Sequence, residues 1–312
     1  LAGFFDVLNP VQVPYIRPST AGFRIDNTYS TVAGFVQDQL RWGGLNIVAT
    51  LRWTDLTIDS RDATGAGWTS STTRFTPRIA AGYDITPWLT VYGGYGSGLR
   101  GNPYAIVASG RPQPEESWQW EGGLRLNLPF GLTGNAAIYQ ITRTNVAVPD
   151  PLNPFLSIQT GEQRSRGFEL DLLWQPNPRF SAMMSYAYTD AEITKDTVYA
   201  VGNAVPYVPR NAFRAFATYR FLDAAVPWMR GLSIGAGLYS ASGSPVDAAN
   251  TARTQGYTTV DAQVAWQSGP LRIALTGRNL TNTRYWQPYQ YLGGAVVPGA
   301  PVEGLLTASV RF

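Results

Sequence analysis

Apolar and polar residues alternate with period two over most of this chain, most plainly from residue 257 onward. Val260, Ala262, Val264 and Trp266 alternate with Thr259, Asp261 and Gln263. After a short turn, Leu271, Ile273 and Leu275 alternate with Arg272, Ala274 and Thr276. The chain closes on Leu306, Ala308, Val310 and Phe312, interleaved with Thr307, Ser309 and Arg311. Such a pattern predicts strands with one oily face and one wet face. The same rhythm runs through 29–42, 45–54, 74–84, 88–99, 118–126, 132–143, 168–174, 180–192, 213–220 and 232–240. Residues 1–28 carry Pro10, Pro14 and Pro18 without sustained alternation and are expected to be loop.

The connections sort by length. Short turns are expected near residues 43, 85, 129, 176, 226 and 268, and long loops near 58–72, 100–114, 144–162, 193–210, 241–256 and 281–303. Alternating short turns and long loops are the mark of a transmembrane antiparallel up-and-down β-barrel in an outer membrane, turns inside and loops outside. A sandwich or propeller has no reason to segregate loop length in this way. Aromatics crowd the short-turn side, among them Trp42, Trp88, Phe130, Trp174, Tyr219, Trp228, Trp266 and Phe312. An amphipathic ring favours headgroup depth, so a membrane girdle is expected, with Trp174, Trp266 and Phe312 in it.

The polar register carries the charges. Glu121, Arg125, Glu169, Asp171 and Arg272 fall on it, as do Arg214, Arg220, Asp261 and Arg311. A charge facing lipid costs about 2–4 kcal/mol for Arg at mid-bilayer, so this register faces the lumen, where Glu121, Arg125, Glu169, Asp171 and Arg272 are expected to form a structural charge network. Glu169 and Asp171 are expected to meet Arg166 or an arginine of a neighbouring strand.

Composition narrows the chemistry. The 312 residues include no Cys and no His, which excludes disulfides, thiolate or imidazole metal sites and Ser/His or Cys/His catalysis. Only 14% of residues are charged and the net charge is +3. No arginine run is interleaved with aromatics in a nucleic-acid-binding pattern, so no nucleic-acid partner is expected. No stretch approaches about 18 consecutive apolar residues, which leaves strands as the way across a membrane.

The alternation yields about thirteen strands. Bacterial single-chain barrels have an even strand number, and an open sheet in hydrocarbon would leave backbone groups unsatisfied. Further strands before residue 1, or a second chain that closes the sheet, are therefore expected.

Several segments carry a family resemblance. The run 33–39, AGFVQDQ, resembles a strand opening of the form G-x-Y-x-Q-D-Q. Pro112-Gln113-Pro114-Glu115-Glu116, continuing to Glu121-Gly122-Gly123-Leu124-Arg125, is similar to P-E-x-S-x-x-Y-E-x-G-L-K. The run 141–146, ITRTNV, followed by Asp150-Pro151, by 159–167, QTGEQRSRG, and by Glu169, resembles the most characteristic stretch of the same family. The runs 257–261, YTTVD, and 279–285, NLTNTRY, match its penultimate hairpin. Together these resemble TonB-dependent siderophore receptors of the ferrichrome (hydroxamate) type.

The resemblance implies an outer-membrane barrel of about 22 strands filled by an N-terminal plug. Residues 29–312 would be its C-terminal portion, with the plug and first strands absent, and residues 1–28 an extracellular loop segment. It also implies import of a ferric siderophore with energy from TonB, which acts on the missing plug. Outer-membrane lipids, lipopolysaccharide and the barrel-assembly machinery, which would read the strand ending in Phe312, are the other implied partners. No resident cofactor or metal and no covalent catalysis is expected. A porin-like passive channel, an outer-membrane enzyme and a structural barrel subunit of an envelope complex are the competing readings.

Iron in a siderophore arrives already chelated, so the mouth needs aromatics and a few donors rather than a metal cage. The candidates on the long-loop side are Trp68, Arg100, Tyr104, Tyr199, Tyr207, Trp286, Tyr289 and Tyr291. In ferrichrome-type relatives an aromatic of the last extracellular loop contacts the ligand, and Tyr289 and Tyr291 occupy that loop here.

Overall fold

The structure is a computed structural model, and it describes residues 25–62, 65, 67–101, 112–150, 153–222, 225–289 and 295–311. Its strands are β1 (Ile25–Trp42), β2 (Leu45–Asp62), β3 (Gly67–Thr86), β4 (Leu89–Arg100), β5 (Glu115–Leu128), β6 (Leu132–Asp150) and β7 (Asn153–Asn177). Then follow β8 (Phe180–Lys195), β9 (Asn211–Arg220), β10 (Leu232–Ala241), β11 (Tyr257–Ser268), β12 (Leu271–Arg278), β13 (Trp286–Pro288), β14 (Val296–Pro298) and β15 (Glu303–Val310). Thirteen of them form one sheet in strict chain order from β1 to β12 and then β15, each pair antiparallel. The small β13–β14 hairpin stands apart within the last long loop. β1 and β15 do not pair with each other, so the described sheet is an open wall of a barrel. Among the described residues no helix is long and apolar enough to cross a membrane.

Cross-strand register shows how the alternation becomes two faces. Val264 stands opposite Leu275, which stands opposite Leu306, while Gln263 stands opposite Thr276. On the apolar register Val264 is 47% and Leu275 55% exposed, whereas Ala265 and Ala274 on the other face are 3% and 1% exposed. That asymmetry fits a curved sheet, whose concave side shields small residues and whose convex side presents large ones to lipid.

The short turns fall where the sequence puts them. At Gly131 the backbone is left-handed (φ 76°), and a Cβ would stand 2.1 Å from the Gln175 carbonyl oxygen, so only glycine fits that close approach to the next hairpin. The aromatics next to these turns pair with one another. Trp174 and Phe180 meet edge to face at 5.4 Å, as do Tyr219 and Phe221 at 5.0 Å. The Trp266 indole donates to the Trp228 carbonyl at 3.0 Å. Trp174 and Trp266 lie on the outward register with Leu172 and Val264. Phe312 lies outside the described residues.

The structure corrects the sequence reading in several places. The first strand begins at Ile25, inside the segment read as loop, whose remainder lies outside the described residues. The segments 58–72 and 144–162 are largely strand, because β2, β3, β6 and β7 run far beyond membrane depth. Their apolar phase changes on the way. Leu51 and Trp53 point outward, but Leu56 and Ile58 lie on the inward register and are buried around Gly101, beside the exposed Tyr29. Above the membrane the outside is water, whereas the inside holds Gly101 and the buried Pro112 and Pro114, so the oily side of the strand reverses.

Candidate functional site

The extracellular end is built from loops that hold each other. The segment entering β5 is clamped by its neighbours. The Gln159 amide donates to the Gln113 carbonyl and accepts from the Gln113 N–H, both at 2.5 Å. The Asn145 side chain donates to the Pro114 carbonyl at 3.1 Å, and Ser70 donates to Pro112 at 3.2 Å. Arg143 pairs with Glu115 at 2.5 Å. A second clamp joins the β8–β9 and β10–β11 loops. Asn203 donates to Ala248, and Asn250 both donates to Ala204 and accepts from its N–H, each at 2.9 Å.

The third clamp holds the final loop. Asn279 is 4% exposed and left-handed (φ 47°). Its amide donates to the carbonyls of Thr283 at 3.0 Å and Ala300 at 2.9 Å, and accepts from the Thr283 N–H at 2.9 Å. Its own N–H donates to the Asp261 carboxylate at 2.8 Å. The Tyr285 ring then stacks on Tyr257 with centroids 3.9 Å apart and planes 16° from parallel. Burial pushes the Tyr285 phenol above its ordinary pKa, and the neighbouring Tyr257 adds to that.

The candidate ligand residues are spread over this rim. Trp68 is half-buried at the start of β3 and Arg100 is exposed at the end of β4. Tyr199 is half-buried in the β8–β9 loop, its N–H bonded to Asp196 at 3.0 Å. Tyr207 is left-handed (φ 71°), unusual for a bulky residue, and its N–H donates to the Pro245 carbonyl at 3.0 Å. Trp286 and Tyr289 are exposed on and beside β13. Tyr104 and Tyr291 lie outside the described residues. Among the described residues, none of these six candidates lines one of the five cavities.

The lumen-facing cavities use other side chains. One of about 540 Å³ lies along β4, where the inward register reads Tyr92, Gly94, Gly96 and Gly98, with Arg78 on one flank and Gln119 and Glu121 on the other. Another of about 350 Å³ sits above it between Arg52, Arg78 and Leu99. A third, about 330 Å³, is formed by Glu169, Asp171, Ser185, Arg214 and Tyr239. Arg52, Arg78, Tyr92, Gln119 and Tyr239 lie on strands, outside the loop aromatics that the sequence singles out. They share the inward register with Glu121 and Asp171, and following that face across the neighbouring strands reaches them.

The inward charges share a face but not a network of ion pairs. Glu121 accepts from the Tyr92 hydroxyl at 3.0 Å and Asp171 from the Ser185 hydroxyl at 2.6 Å. Among the described residues, Glu121, Arg125, Glu169, Asp171 and Arg272 form no ion pair. Arg166 is not the partner of Glu169. It stands opposite Gln140 and Asp190 on the outward register, and pairs with Asp190 at 3.0 Å. Period two decides this, since 166 and 169 differ by an odd number and point to opposite faces.

Ion pairs gather instead at the extracellular ends of the strands. Asp59 lies between Thr69 at 2.7 Å and Arg61 at 2.8 Å, and the hydroxyl and guanidinium hold its carboxyl below the usual range. Lys195 meets Glu162 at 2.8 Å and lowers its pKa, helped by Thr194. Arg164 pairs with Glu192. Among the described residues no cluster of Asp and Glu could hold a metal ion.

An open antiparallel wall with an apolar outer face, a polar inner face and long clamped loops at one end is the architecture of an outer-membrane β-barrel. The chain belongs to the TonB-dependent receptor-like β-barrel family, whose model matches residues 2–280. It is 30% identical over 285 residues to the ferrichrome outer membrane transporter/phage receptor of Escherichia coli (strain K12), covering 88% of this chain and 37% of that protein. It is 26% identical over 291 residues to the ferrioxamine B receptor of Salmonella typhimurium (strain LT2), covering 90% of this chain and 40% of that one. The fold is similar to the siderophore receptor PiuA from Acinetobacter baumannii, with TM-score 0.82 at 22% identity, over 97% of this chain and 46% of that structure. The chain therefore spans less than half the length of these three relatives.

Proposed function

We propose that this chain forms the C-terminal part of the barrel of an outer-membrane receptor that imports a ferric siderophore of hydroxamate type, with energy supplied through TonB. The family match and the similarity to receptors named for ferrichrome and ferrioxamine B carry the reading. The chemistry agrees with it. A ferric chelate hides its metal, so a rim of tyrosine, tryptophan and arginine without His or Cys is the suitable donor set. Trp68, Arg100, Tyr199, Tyr207, Trp286 and Tyr289 are the described rim side chains we assign to first contact. Tyr104 and Tyr291 belong to the same reading of the loops. Below them Arg52, Arg78, Gln119, Arg214 and Tyr239 line the path along the inner wall.

Inside the barrel, Glu169 lies within electrostatic reach of both Glu121 and Asp171. With no ion pair among the described residues, they call for cationic groups on whatever fills the lumen. The outward girdle around Trp174 and Trp266 meets lipid, and Phe312 ends the strand offered to the assembly machinery. The outward ion pairs of Arg164, Arg166 and Lys195 lie at the height of lipopolysaccharide headgroups.

Binding tests this reading. The full-length protein, purified in detergent, is titrated with ferrichrome, ferrioxamine B, a ferric catecholate and ferric citrate while tryptophan fluorescence is followed. Saturable quenching by a hydroxamate at submicromolar concentration is expected, with none from the iron-free forms. Preference for the catecholate or citrate would overturn the hydroxamate assignment, and no saturable binding by any chelate would favour a channel or a structural subunit.

A further inference from the structure

A column of side chains descends the inner wall from the last extracellular loop, and its upper members, Tyr285 and Tyr257, have no part in the ligand recognition proposed above. Tyr285 stacks on Tyr257, and the Tyr257 ring meets Tyr239 with centroids 5.9 Å apart. The Arg214 guanidinium lies over the Tyr239 ring at 5.4 Å. Arg214, Tyr239 and Tyr257 all belong to the inward register of β9, β10 and β11. On its other side, Tyr285 is covered by Gly299, where an added Cβ would fall 2.1 to 2.4 Å from three ring carbons. The Gly299 N–H donates to the Tyr285 carbonyl at 2.9 Å, which closes the base of the β13–β14 hairpin. Thr283 donates to the Thr258 carbonyl at 2.9 Å and Gln287 reaches the Tyr257 hydroxyl at 3.4 Å.

We propose that Tyr285, held between Tyr257 and Gly299, is a positioning residue that fixes the β13–β14 hairpin over the lumen mouth, and that the column down to Arg214 ties the height of that hairpin to the inner wall. The proposal rests on the siderophore reading for its ligand, but not for the clasp itself. The argument is geometric. The hairpin has only three residue pairs, too few to hold a conformation in water by its own ladder. It shares no sheet with the barrel wall. Its base therefore takes its position from the stacked ring and the Asn279 turn beside it. The ring faces make most of the contact, and the Tyr285 hydroxyl also meets the Ala300 backbone N–H beside Gly299.

Three variants of the full-length protein separate the ring, the hydroxyl and the glycine: Tyr285→Leu, Tyr285→Phe and Gly299→Ala. Hydrogen exchange of peptides across 286–298, where the Tyr289 N–H bonds to the Ala295 carbonyl at 2.9 Å, reads the hairpin directly. Titration with ferrichrome and ferrioxamine B reads recognition, and the heat-resistant gel mobility of folded barrels shows that each variant is assembled. Tyr285→Leu and Gly299→Ala are expected to speed exchange there about tenfold and to weaken binding by a similar factor. Tyr285→Phe keeps the ring and loses only the bond from the Ala300 N–H, so it should stay within about threefold of the parent on both, well short of Tyr285→Leu. Unchanged exchange in Tyr285→Leu and Gly299→Ala, or a Tyr285→Phe variant as perturbed as Tyr285→Leu, would overturn the clasp. Faster exchange with unchanged affinity would overturn the hairpin's part in recognition. A parent protein that binds neither hydroxamate would instead defeat the ligand reading, and the exchange data would still decide the clasp.

Discussion

Replacing Asn279 with alanine should loosen the last extracellular loop while leaving the barrel wall standing. The side chain is 4% exposed and makes three hydrogen bonds of 2.9 to 3.0 Å to Thr283 and Ala300. Each such bond contributes about 1 kcal/mol, and a buried group left unpaired costs more. The left-handed backbone at φ 47° adds a further penalty of about 1 kcal/mol for alanine relative to asparagine. Water can enter the space at this exposed end and recover part of the loss, so the net expectation is about 2–3 kcal/mol. Hydrogen exchange of peptides across 281–303 in the full-length protein should quicken about 30- to 150-fold, while peptides from β9 and β10 stay unchanged. Asn279→Gly should recover the backbone share alone. A change below about threefold in Asn279→Ala would mean that the amide does not hold the loop, and the reasoning from burial and satisfied polar groups would fail.

Other substitutions probe other links. Leu275→Arg places a guanidinium on the outward register and should cost about 2–4 kcal/mol in bilayer-folded barrel, whereas Thr276→Arg on the inner face should cost far less; urea titrations in vesicles compare them. Gly131→Ala drives a Cβ against the Gln175 carbonyl at a left-handed position and should destabilise the β5–β6 turn by about 1–3 kcal/mol, visible as a lower melting temperature. The Lys195 contact lowers the pKa of Glu162 in the folded protein, so its contribution is present above the ordinary glutamate range and is lost as pH falls through the depressed value. The difference in local stability between the parent and Glu162→Gln, read at the β7–β8 end, should shrink on acidification; a difference that grows toward low pH would contradict the assignment.

The wall of the barrel was legible in the sequence because membrane depth forces one answer on every residue. Val264, Leu275 and Leu306 must face lipid, so their neighbours Gln263, Thr276 and Thr307 must not. Above that depth the force disappears. Leu56 and Ile58 change sides because they pack inward around Gly101, and an alternation that changes phase reads as the end of a strand. The β13–β14 hairpin gave no signal at all, having three residues a side and prolines at both ends of its register. Arg166 was assigned a partner on the wrong face for a simpler reason, that nearness in sequence was put ahead of parity. The candidate site was legible only as a direction. Side-chain type picked out the aromatic loops, but the clamps through Gln159, Asn250 and Asn279 join residues far apart in the chain, and no local pattern announces them.

The stack of Tyr285 on Tyr257 shows how a motif can have one meaning in sequence and another in structure. Read as a string, the run 279–285 is a family signature beside candidate ligand aromatics. In three dimensions Asn279 satisfies the turn, Thr283 ties it to β11, and Tyr285 seats the loop. The side chains left pointing outward, Trp286 and Tyr289, are those exposed at the rim.

Transport tests the central claim most directly. Cells that make the full-length protein as their sole outer-membrane route for hydroxamate siderophores are given radiolabelled iron as ferrichrome or ferrioxamine B, with and without TonB. Saturable uptake that is lost without TonB and weakened by Tyr285→Leu is the expected result. Uptake that persists without TonB and rises linearly with concentration would contradict it and leave a passive channel.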